Sequence, residues 1–329
     1  MLVVQTAAFF LVTSLPKLDR IFLYRCFVVL LQLETMRPVM PAHLLLMTWL
    51  LWLQANWREA GAQTVCPQNE NRCTVNADST RIYLMTCTNY GDVTQLPPAC
   101  TDTRIISNLV IGHRTTVNTL QHRILDGLQM QQLELTGLGI RSITESAFEA
   151  ISSKLQVLNL QDNQLESLPL GAFRTLLSLS RLHLNHNRLT QLSDGVFSGL
   201  TNLVQLTLNV NRISAMDPGT WYALPRLVTL ALEDNRLGDG RLLFPDMAMD
   251  HLEELRLDRN RLGAINDDII SGLPNLRRLF FRENGVQSLP NNAFRSVPRL
   301  EVVDLSTNNI SQLTQASLNG KCTRSNAVA

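Results

Sequence analysis

The sequence predicts an α/β solenoid: a curved horseshoe with a parallel β-sheet on its concave face and loops and short helical turns on its convex face. Three observations carry that expectation. Leucine fills 59 of the 329 positions, about twice the usual share of any one residue type. Beyond Cys100 these leucines recur at fixed places when the chain is written in rows of 24 or 25 residues. The longest apolar runs, Leu2–Val12, Ile21–Leu33 and Leu44–Leu53, all fall short of the roughly 18–20 residues that cross a bilayer, so a bundle of membrane helices does not explain the leucine. An apolar content of 45% excludes wholesale disorder. A net charge of +1, from 29 Lys+Arg against 28 Asp+Glu, supplies no basic field for phosphate backbones, so general nucleic-acid binding is not expected.

Taken from the start, residues 1–35 read as an upstream segment rather than a domain. Residues 36–62 read as a signal peptide: Met36, Arg37 and His43 precede the apolar run Leu44–Leu53, and Ala60, Gly61 and Ala62 form an A-x-A cleavage site. The mature chain would begin at Gln63. Arg58 and Glu59 make the cleavage region more charged than usual, which keeps a signal anchor as the alternative. Without residues 1–62 the chain holds 24 basic and 25 acidic residues.

Cysteine placement agrees with export. Cys66, Cys73, Cys87 and Cys100 cluster within 35 residues, and the next cysteine is Cys322. An even, clustered set after a signal peptide reads as a local disulfide staple. The competing reading is a zinc site, which wants paired C-x2–4-C spacings that these cysteines lack. Four cysteines allow three connectivities, and spacing does not choose among them.

The rows begin at residues 106, 130, 155, 179, 203, 227, 252, 276 and 300. Leu155, Leu158, Leu160, Asn163 and Leu165 set the pattern, and Leu179, Leu182, Leu184, Asn187 and Leu189 repeat it. Its x-L-x-L-x segment alternates with period two, which predicts a short strand with leucines inward and the intervening residues outward. An asparagine follows each strand in seven consecutive rows: Asn163, Asn187, Asn211, Asn235, Asn260, Asn284 and Asn308. An amide both donates and accepts, so a stack of asparagines can satisfy the buried backbone at the turn where the chain leaves the strand. The second half of each row carries Phe148, Phe173, Phe197, Trp221 or Phe294, with Ile270 in one row, predicting an interior aromatic column. Rows of this kind bury their apolar faces only by stacking on neighbours, so the end rows need caps.

This pattern, L-x-x-L-x-L-x-x-N-x-L, resembles the signature of the extracellular leucine-rich repeat family, and the resemblance runs from about Cys66 to Leu318. It implies about nine repeats over residues 105–318, a polar tail at 319–329, and a cysteine-rich N-terminal cap at 63–104, opened by Cys66-Pro67 and closed near Leu96-Pro97-Pro98. The cysteine spacing departs from the commonest form of that cap. Only Cys322 follows the last row, so no cysteine-rich cap is expected there, and the uncapped C-terminal edge offers a route to a homo-oligomer.

Function is expected on the outward strand residues, because inward positions are committed to packing. Three outward positions in each of nine strands give about 27 residues, enough for one side of a standard protein interface. In the last three rows these positions read Glu254, Arg256, Asp258; Arg278, Phe280, Arg282; and Val302, Asp304, Ser306. Arg256, Asp258, Arg278, Phe280, Arg282 and Asp304 are therefore the candidate ligand-binding residues, an aromatic among arginines being a frequent hot-spot composition. The competing reading is a solvated face whose opposite charges pair weakly.

No catalytic motif is found and no cofactor is expected. His183, His186 and Asp162 lie near one rim but lack a further ligand in sequence, so no metal site is expected either. Gly238-Asp239-Gly240 reads as a turn, and the 25-residue row that holds Phe244, Pro245, Asp246 and Met247 reads as an irregular convex loop that offers a secondary contact. Asn309-Ile310-Ser311 is a glycosylation sequon. The resemblance implies a secreted or cell-surface binding module for a protein ligand or receptor, with an adhesion, matrix or recognition role and no enzymatic activity. The alternative is a truncated ectodomain of a transmembrane signalling receptor.

Overall fold

The alternation of leucine with polar residues fixes the strands, and the structure is built by laying each strand beside its equivalent one row later. In the computed structural model, the described residues are the strands between 66 and 112, residues 118–121, and residues 130–318 except 152–153, 218, 239–243, 245–248, 266 and 313. All belong to the compact unit Gly61–Ala329. The signal segment, Cys100, Cys322 and the tail lie outside the described residues.

The strands are β1 (Cys66–Gln68), β2 (Asn71–Ala77), β3 (Arg81–Thr88), β4 (Ile105–Gly112), β5 (Thr119–Leu120), β6 (Met130–Leu135), β7 (Ser142–Ile143) and β8 (Val157–Asn159). They continue with β9 (Arg181–His183), β10 (Gln191–Leu192), β11 (Gln205–Thr207), β12 (Ala215–Met216), β13 (Thr229–Ala231), β14 (Glu254–Arg256), β15 (Arg278–Phe280) and β16 (Val302–Asp304). Twelve of them form one sheet in the order β1-β2-β3-β4-β6-β8-β9-β11-β13-β14-β15-β16. The first two pairings are antiparallel, and every pairing from β3 onward is parallel. In the antiparallel part Cys66 stands opposite Cys73, and Cys73 opposite Cys87, so three of the four clustered cysteines occupy neighbouring positions across β1, β2 and β3.

Register keeps equivalent leucines adjacent: Leu158, Leu182, Leu206, Leu230, Leu255 and Leu279 face one another in turn, and each is fully buried. The return half of each row contributes tight turns, the two-stranded ladders β5-β7 and β10-β12, and the short helices α1 (Asp267–Ile270) and α2 (Gln315–Leu318). The core is one continuous cluster from Leu120 to Leu300. Inside it Phe148 stacks on Phe173 at 5.9 Å and Phe197 on Trp221 at 6.2 Å.

One expectation is corrected here. Phe244 does not belong to a solvent-facing convex loop: it is buried and packs on Trp221 at 5.7 Å, extending the aromatic column by one row. Phe244 stands 17 residues after the start of its row, where the other column residues stand 18 after theirs, so row spacing alone did not align it with Trp221.

The asparagines form the hydrogen-bonded seam. The Asn235 side chain donates through Nδ2 to the carbonyls of Leu208 in the preceding row and Leu232 in its own, both at 3.0 Å. Its Oδ1 accepts from the backbone N–H of Ile213 at 3.0 Å. Asn187, Asn211 and Asn260 repeat this three-way pattern one row apart. Asn163, Asn284 and Asn308 are likewise bonded to the backbone of the row before. Without these bonds, buried backbone groups at each turn would remain unpaired, at about 1–3 kcal/mol apiece.

Candidate functional site

Parallel register sets the outward residues in straight lines across the sheet. Glu254, Arg278 and Val302 form one line, and Arg256, Phe280 and Asp304 the next. Two residues beyond β14 and β15 the rows are joined again, because the backbone N–H of Arg282 donates to Asp258 Oδ1 at 2.7 Å. All six candidate residues thus fall in one patch at the β16 end of the sheet.

The charges in this patch are organised rather than loosely solvated. Glu254, nearly buried, accepts from Arg256 Nε at 2.5 Å with one oxygen and from Arg278 Nε at 2.7 Å with the other. Burial alone would raise its pKa, yet the hydrogen bonds from the two guanidiniums hold it below the usual glutamate value. Arg256 also lies over the Phe280 ring, 4.9 Å from its centroid, and Phe280 is itself half-covered. Asp304 accepts from the backbone N–H of Ser306 at 3.0 Å and from its hydroxyl at 2.6 Å, and Arg282 Nε stands 3.9 Å away.

Two carboxyls here are held above their ordinary values. Burial raises Glu233, with Arg256 3.8 Å from Oε1 giving partial relief, while its Oε2 is buried without a hydrogen-bond partner. Burial likewise raises Asp258, and the neighbouring charge of Asp304 adds to the effect. A row away, Arg259 forms a two-pronged pair with Asp234, both bonds 2.6 Å. Glu254 was expected among the outward residues without a role of its own, and Glu233 was not singled out. Among the outward strand positions, Val157, Ala231 and Glu254 are buried rather than open.

The middle rows carry an uncharged polar chain. Asn185 Nδ2 donates to Gln161 Oε1 at 3.4 Å, and Thr207 donates to Asn185 Oδ1 at 3.0 Å. Because that bond uses the threonine proton, the 3.0 Å contact between His183 Nδ1 and Thr207 Oγ1 assigns Nδ1–H as the donor. Burial, reinforced by Arg181, lowers the His183 pKa and keeps the ring neutral at neutral pH. His186 instead faces Asp162 at 3.7 Å in the exposed turn. His183 is thereby tied to Thr207, away from the pair it was weighed with, and among the described residues no three His, Cys, Asp or Glu converge as metal ligands. Asn309 is exposed beside the bonded Asn308.

This arrangement of strands, seam and outward face decides the family when set beside known proteins. The profile described as Leucine rich repeat matches residues 129–189, 177–237 and 250–318, more than half of the chain. The chain belongs to the leucine-rich repeat family. No curated protein matches it, but 345 chains of solved structures do. One is described as "Crystal structure of TLR13-ssRNA13 complex", with a TM-score of 0.47 and 21% identity over 65% of this chain. This leucine-rich repeat chain spans 42% of the length of that one. Solenoids of stacked repeats present extended concave surfaces suited to ligand binding.

Proposed function

We propose that this leucine-rich repeat protein is an extracellular, non-enzymatic binding module that takes a protein ligand on its concave strand face. The observation that carries the reading is the division of labour within each strand. Inward leucines are sealed in one core, whereas the outward positions from Gln132 to Ser306 are mostly polar or charged and free of packing duty at most places. Such a face suits a protein partner better than a small molecule, which prefers a deep apolar pocket. The signal-like segment 36–62, the clustered cysteines of the 63–104 segment and the exposed sequon at Asn309 support export, and with it an adhesion, matrix or recognition role.

The test is a binding screen of the secreted protein against an array of purified extracellular domains, followed by titration of each hit. Phe280→Ala combined with Arg278→Ala should weaken a true ligand by about tenfold or more, while Arg174→Ala on the return side should leave it unchanged. Retention of the chain inside expressing cells would count against export. A ligand that responds only to the return-side change would move the site off the strand face.

A further inference from the structure

In the candidate patch the two signs of charge lie at different depths. Arg256, Arg278 and Arg282 each keep 45% of the side chain exposed, whereas Glu254, Glu233 and Asp304 keep 9%, 13% and 32%. Three of the carboxylates are also already engaged, whereas Glu233 Oε2 is buried without a hydrogen-bond partner. Glu254 holds two guanidiniums, Asp258 accepts from the Arg282 backbone, and Asp304 accepts twice from Ser306. Both bonds to Glu254 run through Nε, next to the arginine stem; Arg256 Nη1 stands 3.8 Å from Glu233, whereas the Arg278 bond to Glu254 leaves its terminal nitrogens out of that pairing. A partner approaching this face therefore meets arginines that are more exposed than the acids beside them, most of which are already engaged.

Apolar surface is set between the arginines. Phe280 lies under Arg256, and Val302, 41% exposed, sits beside Arg278 on the next strand. Two of the guanidiniums are already oriented by Glu254, so little side-chain freedom remains to be lost when a carboxylate docks on them. We propose that this patch takes an acidic protein segment: carboxylates on Arg278 and Arg282, with an apolar side chain between them against Phe280 and Val302. A run of nucleic-acid phosphates fits less well, because it needs a longer cationic track and would cross the acidic residues Glu233 and Asp258. The inference rests on the concave-face reading and adds the sign of the partner's charge.

The experiment uses the full secreted chain and a synthetic peptide in which glutamates flank phenylalanines. Its controls are the glutamine counterpart of that peptide and a single-stranded oligonucleotide of equal charge. The acidic peptide should bind, and binding should fall about tenfold or more in Arg278→Glu and in Arg282→Glu, but stay unchanged in Arg295→Glu on the return side. Unchanged melting temperatures establish that the reversals do not act by unfolding. Equal binding of the glutamine peptide, or tighter binding of the oligonucleotide, overturns the proposal. So does a ligand from the domain array that loses affinity in Phe280→Ala yet tolerates both charge reversals, and that result would leave the concave-face reading intact.

Discussion

The residue before each ladder asparagine has a left-handed backbone: Asp162, His186, Val210, Asp234, Arg259, Glu283 and Thr307 have φ between 51° and 58°. This twist turns the chain off the strand and aims the asparagine inward. Asp tolerates it and β-branched side chains do not, at about 1–2 kcal/mol for an ordinary residue. Val210 is an exposed β-branched residue in this position, with little packing to lose. Val210→Asn should therefore raise stability by about 1 kcal/mol, read as a higher urea midpoint with unchanged m-value, and a lower midpoint would contradict the strain argument. Asn235→Asp makes the complementary case. It keeps size and the acceptor but removes the donor that serves Leu208 and Leu232, so it should cost about 2–4 kcal/mol in the same measurement. The asparagine stack was legible from spacing alone. The left-handed residue before it was not, because seven different demands on side chains at that place blur the signal into Asp, His, Val, Arg, Glu and Thr.

At the scale of the element, one glycine shows how closely the return segments approach one another. Gly199 has φ 92°, and a Cβ there would lie 2.3 Å from the carbonyl oxygen of Arg174 in the previous row. Backbone cannot yield as a flexible side chain does, so Gly199→Ala should destabilise by about 3 kcal/mol or more, visible as a fall in melting temperature. The aromatic column offers a second check. Phe244→Ala should cost about 3–5 kcal/mol, whereas a solvent-facing phenylalanine would lose under about 0.5 kcal/mol. The strands themselves were readable because period two and a fixed row length act together. Phe244 was not, because it stands one position earlier in its row than the other column residues do in theirs, and burial in the return segments depends on neighbours in the adjacent row.

For the molecule as a whole, the candidate patch was located by the sequence and its character was not. Arg256, Arg278, Phe280 and Arg282 stand out as outward residues at fixed spacing. That Glu254 sinks beneath two arginines is a lateral fact, joining residues 24 apart, that no single row displays. The opposing shifts in this patch give a pH dependence with a definite sign. Glu254, held low, contributes stability above the ordinary carboxylate range that is lost as pH falls through its folded value. Glu233 and Asp258, held high, act oppositely: the folded state retains their protons longer, so stability declines as pH rises from the ordinary carboxylate value toward their raised ones. Glu233→Gln removes one such penalty and should gain on the wild type as pH is raised from about 4 to about 7. Parallel urea titrations at the two pH values check it, and a constant difference between the proteins would refute it.

The uneven row length has a consequence for how such a chain can change. Thr229, Leu230 and Ala231 pair with residues 25 positions later, while their counterparts on β11 pair with residues 24 later, yet the sheet continues without a shift in register. The strand half of a row is thus the metre of the molecule, and the return half is where syllables can be added. Insertions tolerated there let a solenoid acquire new surface on one side while the binding face on the other keeps its lines straight, so the two sides are open to diversify independently.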